Sequence, residues 1–98
     1  MLFKKNKKLI SILNTEMKRY RQLSYGQLIK KIGAVETHSF GSKKDKNFYQ
    51  LEIMFIFDDP ETRKNIRVIG NIDDGRWRAF MPISRSFIKA PDNTFIGE

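Results

Sequence analysis

Two clusters of carboxylates have the side-chain types that acid–base catalysis or metal binding requires. The segment "FDDPET" carries Asp58, Asp59 and Glu61, and the segment "IDDGRWRAF" carries Asp73 and Asp74 beside two arginines. Neighbouring carboxylates can transfer protons or bind a divalent cation. Neither cluster has the alternating spacing of a calcium loop, so the local structure that each would form decides how it is interpreted.

The second cluster has the pattern of a β-hairpin turn. Asp74 and Gly75 lie between two alternating segments, which is typical of a two-residue loop in a type I′ turn. This register predicts the cross-strand pairs Asp73 with Arg76, Ile72 with Trp77, Asn71 with Arg78, Gly70 with Ala79, Ile69 with Phe80 and Val68 with Met81. Opposite charges and an aromatic–aliphatic pair then face each other, which stabilises a hairpin. We therefore predict a turn here and not an active site.

The first cluster has the pattern of the start of a helical turn. Asp59 is suited to the N-cap position, Pro60 to the first helical position and Glu61 to the positive end of the helix dipole. These preferences account for the acidic residues without catalysis. At most, they indicate weak and nonspecific binding of a divalent ion.

Other signatures of catalysis are missing from the sequence. His38 is the only histidine, and no nucleophile-elbow pattern accompanies it. The segment "FGSKKDK" has the glycine, serine and lysines of a phosphate loop but not the required spacing. Without cysteine, the chain has neither disulfides nor cysteine-containing zinc sites. We predict a protein that is not an enzyme and has no cofactor and no metal.

The first third of the chain predicts two helices. Between residues 8 and 22, apolar residues at spacings of three and four form one stripe: Leu9, Ile12, Leu13, Met17 and Tyr20. Ser24 and Gln27 then form a capping-box pattern, with Leu23 and Leu28 at the positions of a hydrophobic staple. Gly33 suits the left-handed position that ends a second, short helix.

The remainder of the chain predicts strands. Alternating or apolar segments occur in "AVETHSF", "NFYQLEIMFIF", "IRVIGNID" and "RWRAFM", and the tail "SFIKAPDNTFIGE" can add two short strands around a turn. We predict an α+β fold in which two N-terminal helices pack on one face of an antiparallel β-meander of four to six strands. Residues 1–98 would form a single domain, helical over 1–33 and β-rich over 34–98.

No apolar segment has the roughly 20 residues that a membrane-spanning helix needs, and the basic N-terminal segment lacks a small-residue cleavage site. We expect a cytoplasmic protein.

The positive charge is concentrated in the first half of the chain. The formal net charge of the whole chain is +8, and twelve of its nineteen lysines and arginines lie in residues 1–46. This asymmetry favours an anionic partner, with solubility as the alternative reason for the charge. The candidate surface comprises Lys4, Lys5, Lys7, Lys8, Lys18, Arg19, Lys30, Lys31, Lys43 and Lys44.

A second candidate surface is apolar. Alternation places hydrophobic residues on the sheet face opposite the helices, where the C-terminal segment or a protein partner would cover them. These residues are Phe48, Met54, Ile56, Ile69 and Phe80. Packing in the interior is the structural alternative.

The sequence leaves two functions open. The first is a small non-enzymatic binding or accessory protein that acts through protein–protein contacts, including self-association, on the apolar sheet face. The alternative is a basic protein that binds nucleic acid without sequence preference through its N-terminal helices. A membrane-surface role is disfavoured, because the apolar stripe of the first helix is needed for the core.

Overall fold

The fold is described from a computed structural model of the chain, in which residues 2–42, 44–75 and 82–98 are described, with side chains from residue 6 onward. Two helices precede four strands. In chain order the elements are α1 (Leu2–Arg21), α2 (Tyr25–Ile29), β1 (Val35–Phe40), β2 (Tyr49–Phe57), β3 (Ile66–Asp73) and β4 (Ile83–Lys89). The predicted α+β class with an antiparallel meander is confirmed.

Helix α1 covers the sheet with the predicted apolar stripe. Leu9, Leu13, Met17 and Tyr20 are all buried in the core. The helix is longer than predicted and begins at Leu2. Its last turn carries Lys18, Arg19 and Arg21, and these cations lie near the negative end of the helix dipole.

Helix α2 begins as the sequence predicts. The Ser24 side chain accepts a hydrogen bond from the Gln27 backbone N–H, and the Gln27 side chain accepts one from the Ser24 N–H, which completes a capping box. The helix has only five residues, of which Leu28 is fully buried. A single long helix therefore provides most of the helical cover.

The sheet has the strand order β1-β2-β3-β4, and every pair of neighbours is antiparallel. Alternate residues of the two central strands face the core and are fully buried: Leu51, Ile53 and Phe55 on β2, and Ile66, Val68 and Ile72 on β3. The register pairs Leu51 with Ile72 and Phe55 with Val68. The alternation predicted from the sequence is thus the alternation between the core and the opposite face.

The predicted tight hairpin is wrong. Ile72 pairs with Leu51 on one side and with Ile83 on the other, so no position is left for Trp77. A type I′ turn requires positive φ at both of its central residues. Gly75 has a φ of 73°, but Asp74 is not among the described residues with positive φ. Instead the Asp73 side chain accepts a hydrogen bond from the Gly75 N–H at 2.7 Å. The strand predicted in "RWRAFM" lies outside the described residues.

Residues 83–89 take the place beside β3 because they supply core contacts and anchor α1. Phe87 pairs with Val68 and is buried beside the helix. Lys89, 4% exposed, donates from Nζ to the carbonyl oxygens of Arg21 at 2.8 Å and Leu23 at 2.6 Å. Arg21 is the last residue of α1 and Leu23 lies just after it, so the helix itself supplies no N–H donors to these carbonyls. A distant residue therefore caps α1 at its C-terminal end.

The segment between β2 and β3 forms the predicted acidic turn. The Asp59 carboxylate accepts a hydrogen bond from the Glu61 N–H at 2.9 Å, and the Asp59 carbonyl accepts one from the Arg63 N–H. Arg63, with φ of 49°, ends the turn. Within the described part of the chain, no helix has both the length and the apolar character needed to cross a membrane.

Candidate anion-binding groove

A groove of about 330 Å³ lies between α1 and β4. Its lining combines three cations, two small polar residues and two apolar residues: Lys18, Arg21, Arg85, Asn14, Ser86, Met17 and Phe87. The helix contributes one wall and the edge strand the other. Among the described residues, the lining contains no carboxylate, but Arg21 is paired with Glu98 beside it, so the unpaired positive charge of the groove comes from Lys18 on one wall and Arg85 on the other.

Arg21 is held by ring contacts and an ion pair that the other two cations lack among the described residues. Its guanidinium lies 3.9 Å from the centroid of the Phe95 ring and 5.5 Å from that of Phe87. Two parallel hydrogen bonds of 2.7 and 2.6 Å join it to the carboxylate of Glu98. This bidentate pair raises the pKa of Arg21 and lowers the pKa of Glu98. The guanidinium is therefore oriented for bidentate binding of an oxyanion, and a phosphate would have to displace Glu98 to use it.

Lys18 and Arg85 are exposed at the two walls. Among the described residues, neither forms a salt bridge, and Arg85 donates only to the carbonyl of its neighbour Ser84 at 2.8 Å. Lys18 precedes Arg21 by one helical turn, so both face the groove. An anion in the groove would meet charges whose hydrogen-bonding capacity is largely unused.

The other predicted basic residues are spread around the molecule. Lys8 donates to Asn47 at 3.3 Å beside the β1–β2 loop, and Arg19 pairs with Glu16 on the same helix at 3.1 Å. Lys7, Lys30 and Lys44 are exposed. The structure thus brings Lys18 and Arg21 into the groove and places Lys8, Arg19, Lys30 and Lys44 elsewhere. The side chains of Lys4, Lys5 and Lys43 lie outside the described residues.

A second polar cluster joins α1 and α2 to β1. The Tyr20 hydroxyl donates to Glu36 Oε1 at 2.6 Å, and Lys31 Nζ lies 2.5 Å from Glu36 Oε2. Because the hydroxyl proton is used for Glu36, His38 Nε2, 3.3 Å from the hydroxyl oxygen, has to be the donor in that contact. Burial is the first cause of the raised pKa of Tyr20, and the Glu36 contact is the second. The phenol is therefore held neutral and is a poor nucleophile or base.

The predicted acidic clusters do not converge. Asp58 pairs with Arg67 at 2.8 Å, whereas Asp73 is bound to the backbone of its own turn. Within the described ranges no group of three or more histidines and acids is arranged to hold a metal ion. Asp58 and Asp73 therefore have structural roles, in an ion pair and in a turn.

The predicted apolar surface is divided by the structure. Met54, Ile56 and Ile69 lie on the sheet face opposite α1, with Val35 beside Met54 in the register. Phe48 is instead buried, with its ring packed against Gly75. A Cβ added to Gly75 would lie only 2.7 Å from Cε2 of that ring. Phe80 lies outside the described residues.

The open face has an apolar end and a polar end. The row Val35–Met54–Ile69 crosses three strands, and Ile56 and Ile88 lie in the next row on either side of Arg67. At the other end, one row crosses all four strands with Thr37, Glu52, Asn71 and Ser84. Val35 is 54% exposed and Ile56 39% exposed, so the apolar end is partly accessible.

Sequence reasoning missed Arg85 as a site residue. Arg85 lies in the C-terminal half of the chain, where acids balance the basic residues, and its place beside α1 depends on its pairing with Gly70. Alternation over "ISRSFIK" is the signal that could have placed Arg85 and Phe87 on the same face.

No family model, no curated protein and no solved structure matches this chain.

Proposed function

We propose that this protein is a non-enzymatic binding protein that holds the phosphate backbone of nucleic acid in the groove between α1 and β4. The observation that carries the proposal is the convergence of Lys18 and Arg85, unpaired in the described part of the chain and from two separate elements, on one groove beside Arg21, whose described partner Glu98 a phosphate would displace. Binding would be independent of base sequence, because lysine and arginine contacts to phosphates carry no sequence information by themselves.

The proposal is supported by the charge of the rest of the chain. A formal net charge of +8 attracts a polyanion from a distance, and exposed Lys7 lies on the groove side of α1, seven residues before Asn14. Both walls belong to regular elements, so the backbone positions that carry the cations are set before the ligand arrives. In this proposal α1 and α2 together cover one face of the sheet, because Leu28 of α2 is buried in the same core cluster as the apolar stripe of α1.

The proposal is tested by fluorescence anisotropy with labelled single-stranded RNA and labelled duplex DNA, at about 50 and 200 mM salt. The test variant is Lys18→Gln with Arg85→Gln. Its control is Lys30→Gln with Lys44→Gln, which removes the same charge at exposed positions away from the groove. Circular dichroism would verify that both variants keep the fold.

We expect wild type to bind both nucleic acids, more tightly at low salt. The groove variant should lower the slope of log affinity against log salt by about 1.4 to 1.8, since each lost phosphate contact contributes about 0.7 to 0.9. The control should change affinity less. Equal losses in the two variants would show that only the net charge matters, and absence of binding at low salt would reject the function.

A second candidate function is a protein contact through the open sheet face, and the apolar row Val35–Met54–Ile69 favours it. The expected effect is that Ile56→Lys, at the apolar end, weakens association with a protein partner. Ser84→Lys at the polar end of the same face is the control. Cross-linking followed by identification of the linked chain would compare the two variants, and equal yields would count against this surface.

A further inference from the structure

The two edges of the described sheet differ in how they are protected. On β1, five of the six residues are exposed, and the strand contains neither proline, lysine nor arginine. Val35 and Phe40 are 54% and 52% exposed. The only charge, Glu36, is neutralised by Lys31. Natural edge strands avoid pairing through charges, proline or a covering segment, and among the described residues β1 has no proline, no covering strand and no charge other than the paired Glu36.

The β4 edge is protected in two ways. Arg85 places an exposed cation on the strand, and the following turn folds back on it. The turn forms an isolated bridge between Lys89 and Phe95, and the Ile96 N–H donates to the Ile88 carbonyl at 2.9 Å. The contrast identifies β1 as the edge that can accept another strand.

We propose that β1 pairs in antiparallel orientation with β1 of a second copy of this chain, so that the two four-stranded sheets become continuous. The register that fits is centred on Thr37. Antiparallel partners share a sheet face, so Thr37 then faces Thr37 of the second copy, Glu36 faces His38, and Val35 faces Ser39. Threonine pairs and an acid opposite an imidazole are favourable cross-strand neighbours. The register centred on His38 would instead place two imidazoles opposite each other.

A second copy on β1 would leave both grooves accessible, because each groove lies on the β4 side of its sheet. The net charge of +8 on each copy opposes association at low salt. Physiological salt screens this repulsion. The inference rests on the edge geometry alone and stands independently of nucleic-acid binding.

The symmetry gives a charge-exchange test by sedimentation velocity at physiological salt. A residue on the two-fold axis meets itself, so Thr37→Lys places two ammonium groups together and Thr37→Glu places two carboxylates together. Each variant alone should dimerise about fivefold more weakly than wild type. An equimolar mixture should restore the dimer, because the opposite charges then face each other.

Ser84→Lys is the matched control, because Ser84 lies in the same row and on the same face as Thr37 but on the opposite edge. It should leave the dimer unchanged. A monomeric wild type at high concentration would overturn the proposal, and so would a dimer that both Thr37 substitutions leave intact. Weakening by both substitutions without restoration in the mixture would overturn the register.

Discussion

The hydroxyl of Tyr20 donates a hydrogen bond of 2.6 Å to Glu36, which joins the buried stripe of α1 to the edge strand β1. Lys31, from the turn after α2, binds the other carboxylate oxygen. Three segments that are separate in sequence thus meet at one carboxylate. These contacts lower the pKa of Glu36, with the Lys31 hydrogen bond as the first cause and the Tyr20 hydrogen bond as the second.

The lowered pKa predicts a loss of stability in acid. The unfolded pKa of glutamate is about 4.3, so the stabilisation is complete above that pH and disappears as pH falls through the lower folded pKa. Because the carboxylate is about one-third exposed, its contribution is modest, about 1 kcal/mol. Urea unfolding should therefore show Glu36→Gln as less stable than wild type at neutral pH, by an amount that shrinks as pH falls below about 4. A difference that does not change with pH would contradict the role of the charge.

Replacement of Lys89 should destabilise the fold through the end of α1. Lys89→Met keeps much of the apolar stem but removes the donor to the carbonyls of Arg21 and Leu23. Hydrogen bonds from a charged donor contribute about 1.5 to 3 kcal/mol, so we expect a loss of about 2 kcal/mol in the free energy of unfolding. Lys64→Met, at an exposed position, is the control and should change stability by less than about 0.5 kcal/mol.

Gly70 on β3 lies directly against two buried side chains of α1. A Cβ there would come within 2.6 Å of Met17 Sδ and 2.9 Å of Leu13 Cδ1. Gly70→Ala should therefore cost about 1 to 3 kcal/mol through overpacking, as measured by thermal or urea unfolding. The control is Gly26→Ala within α2, where the nearest atom is 3.8 Å away and alanine should stabilise the helix. Equal effects at the two positions would contradict the close packing of α1 on β3.

The Glu98 carboxylate accepts the two Arg21 hydrogen bonds that a bound phosphate would need. Glu98→Gln removes a competing charge from Arg21, so nucleic-acid affinity in the anisotropy experiment should rise. Glu61→Gln changes the net charge equally at an exposed position in the β2–β3 segment and should have a smaller effect. If both variants bind more tightly by the same factor, the Glu98–Arg21 pair does not compete with nucleic acid for the groove.

Local sequence patterns predicted the local structure well. The capping box of Ser24 and Gln27, the stripe of α1 and the alternation of β2 each depend on residues a few positions apart. The pairing of β3 was predicted wrongly because Asp74–Gly75 is a strong local turn signal. Contacts more than sixty residues apart, such as Lys89 with Leu23, favour the observed strand instead.

The candidate site could be predicted only in part for the same reason. Lys18 and Arg21 lie one turn apart on a helix that the sequence shows clearly. Arg85 joins them only through the register of β4 with β3. Composition indicated an anionic partner, but charge counts by themselves do not state which cations share a groove.

The bonds from Lys89 to the end of α1 bear on how the chain folds during synthesis. The helix is made first, yet its partners on β4 and in the segment up to Glu98 are 68 to 77 residues further along. Until those residues leave the ribosome, the apolar stripe of α1 has only part of its cover. Contacts of such long sequence separation slow folding, because a large loop has to close before they form. We therefore expect a nascent chain halted before β4 to be sensitive to proteases and to bind chaperones, and to become compact only after β4 has been added.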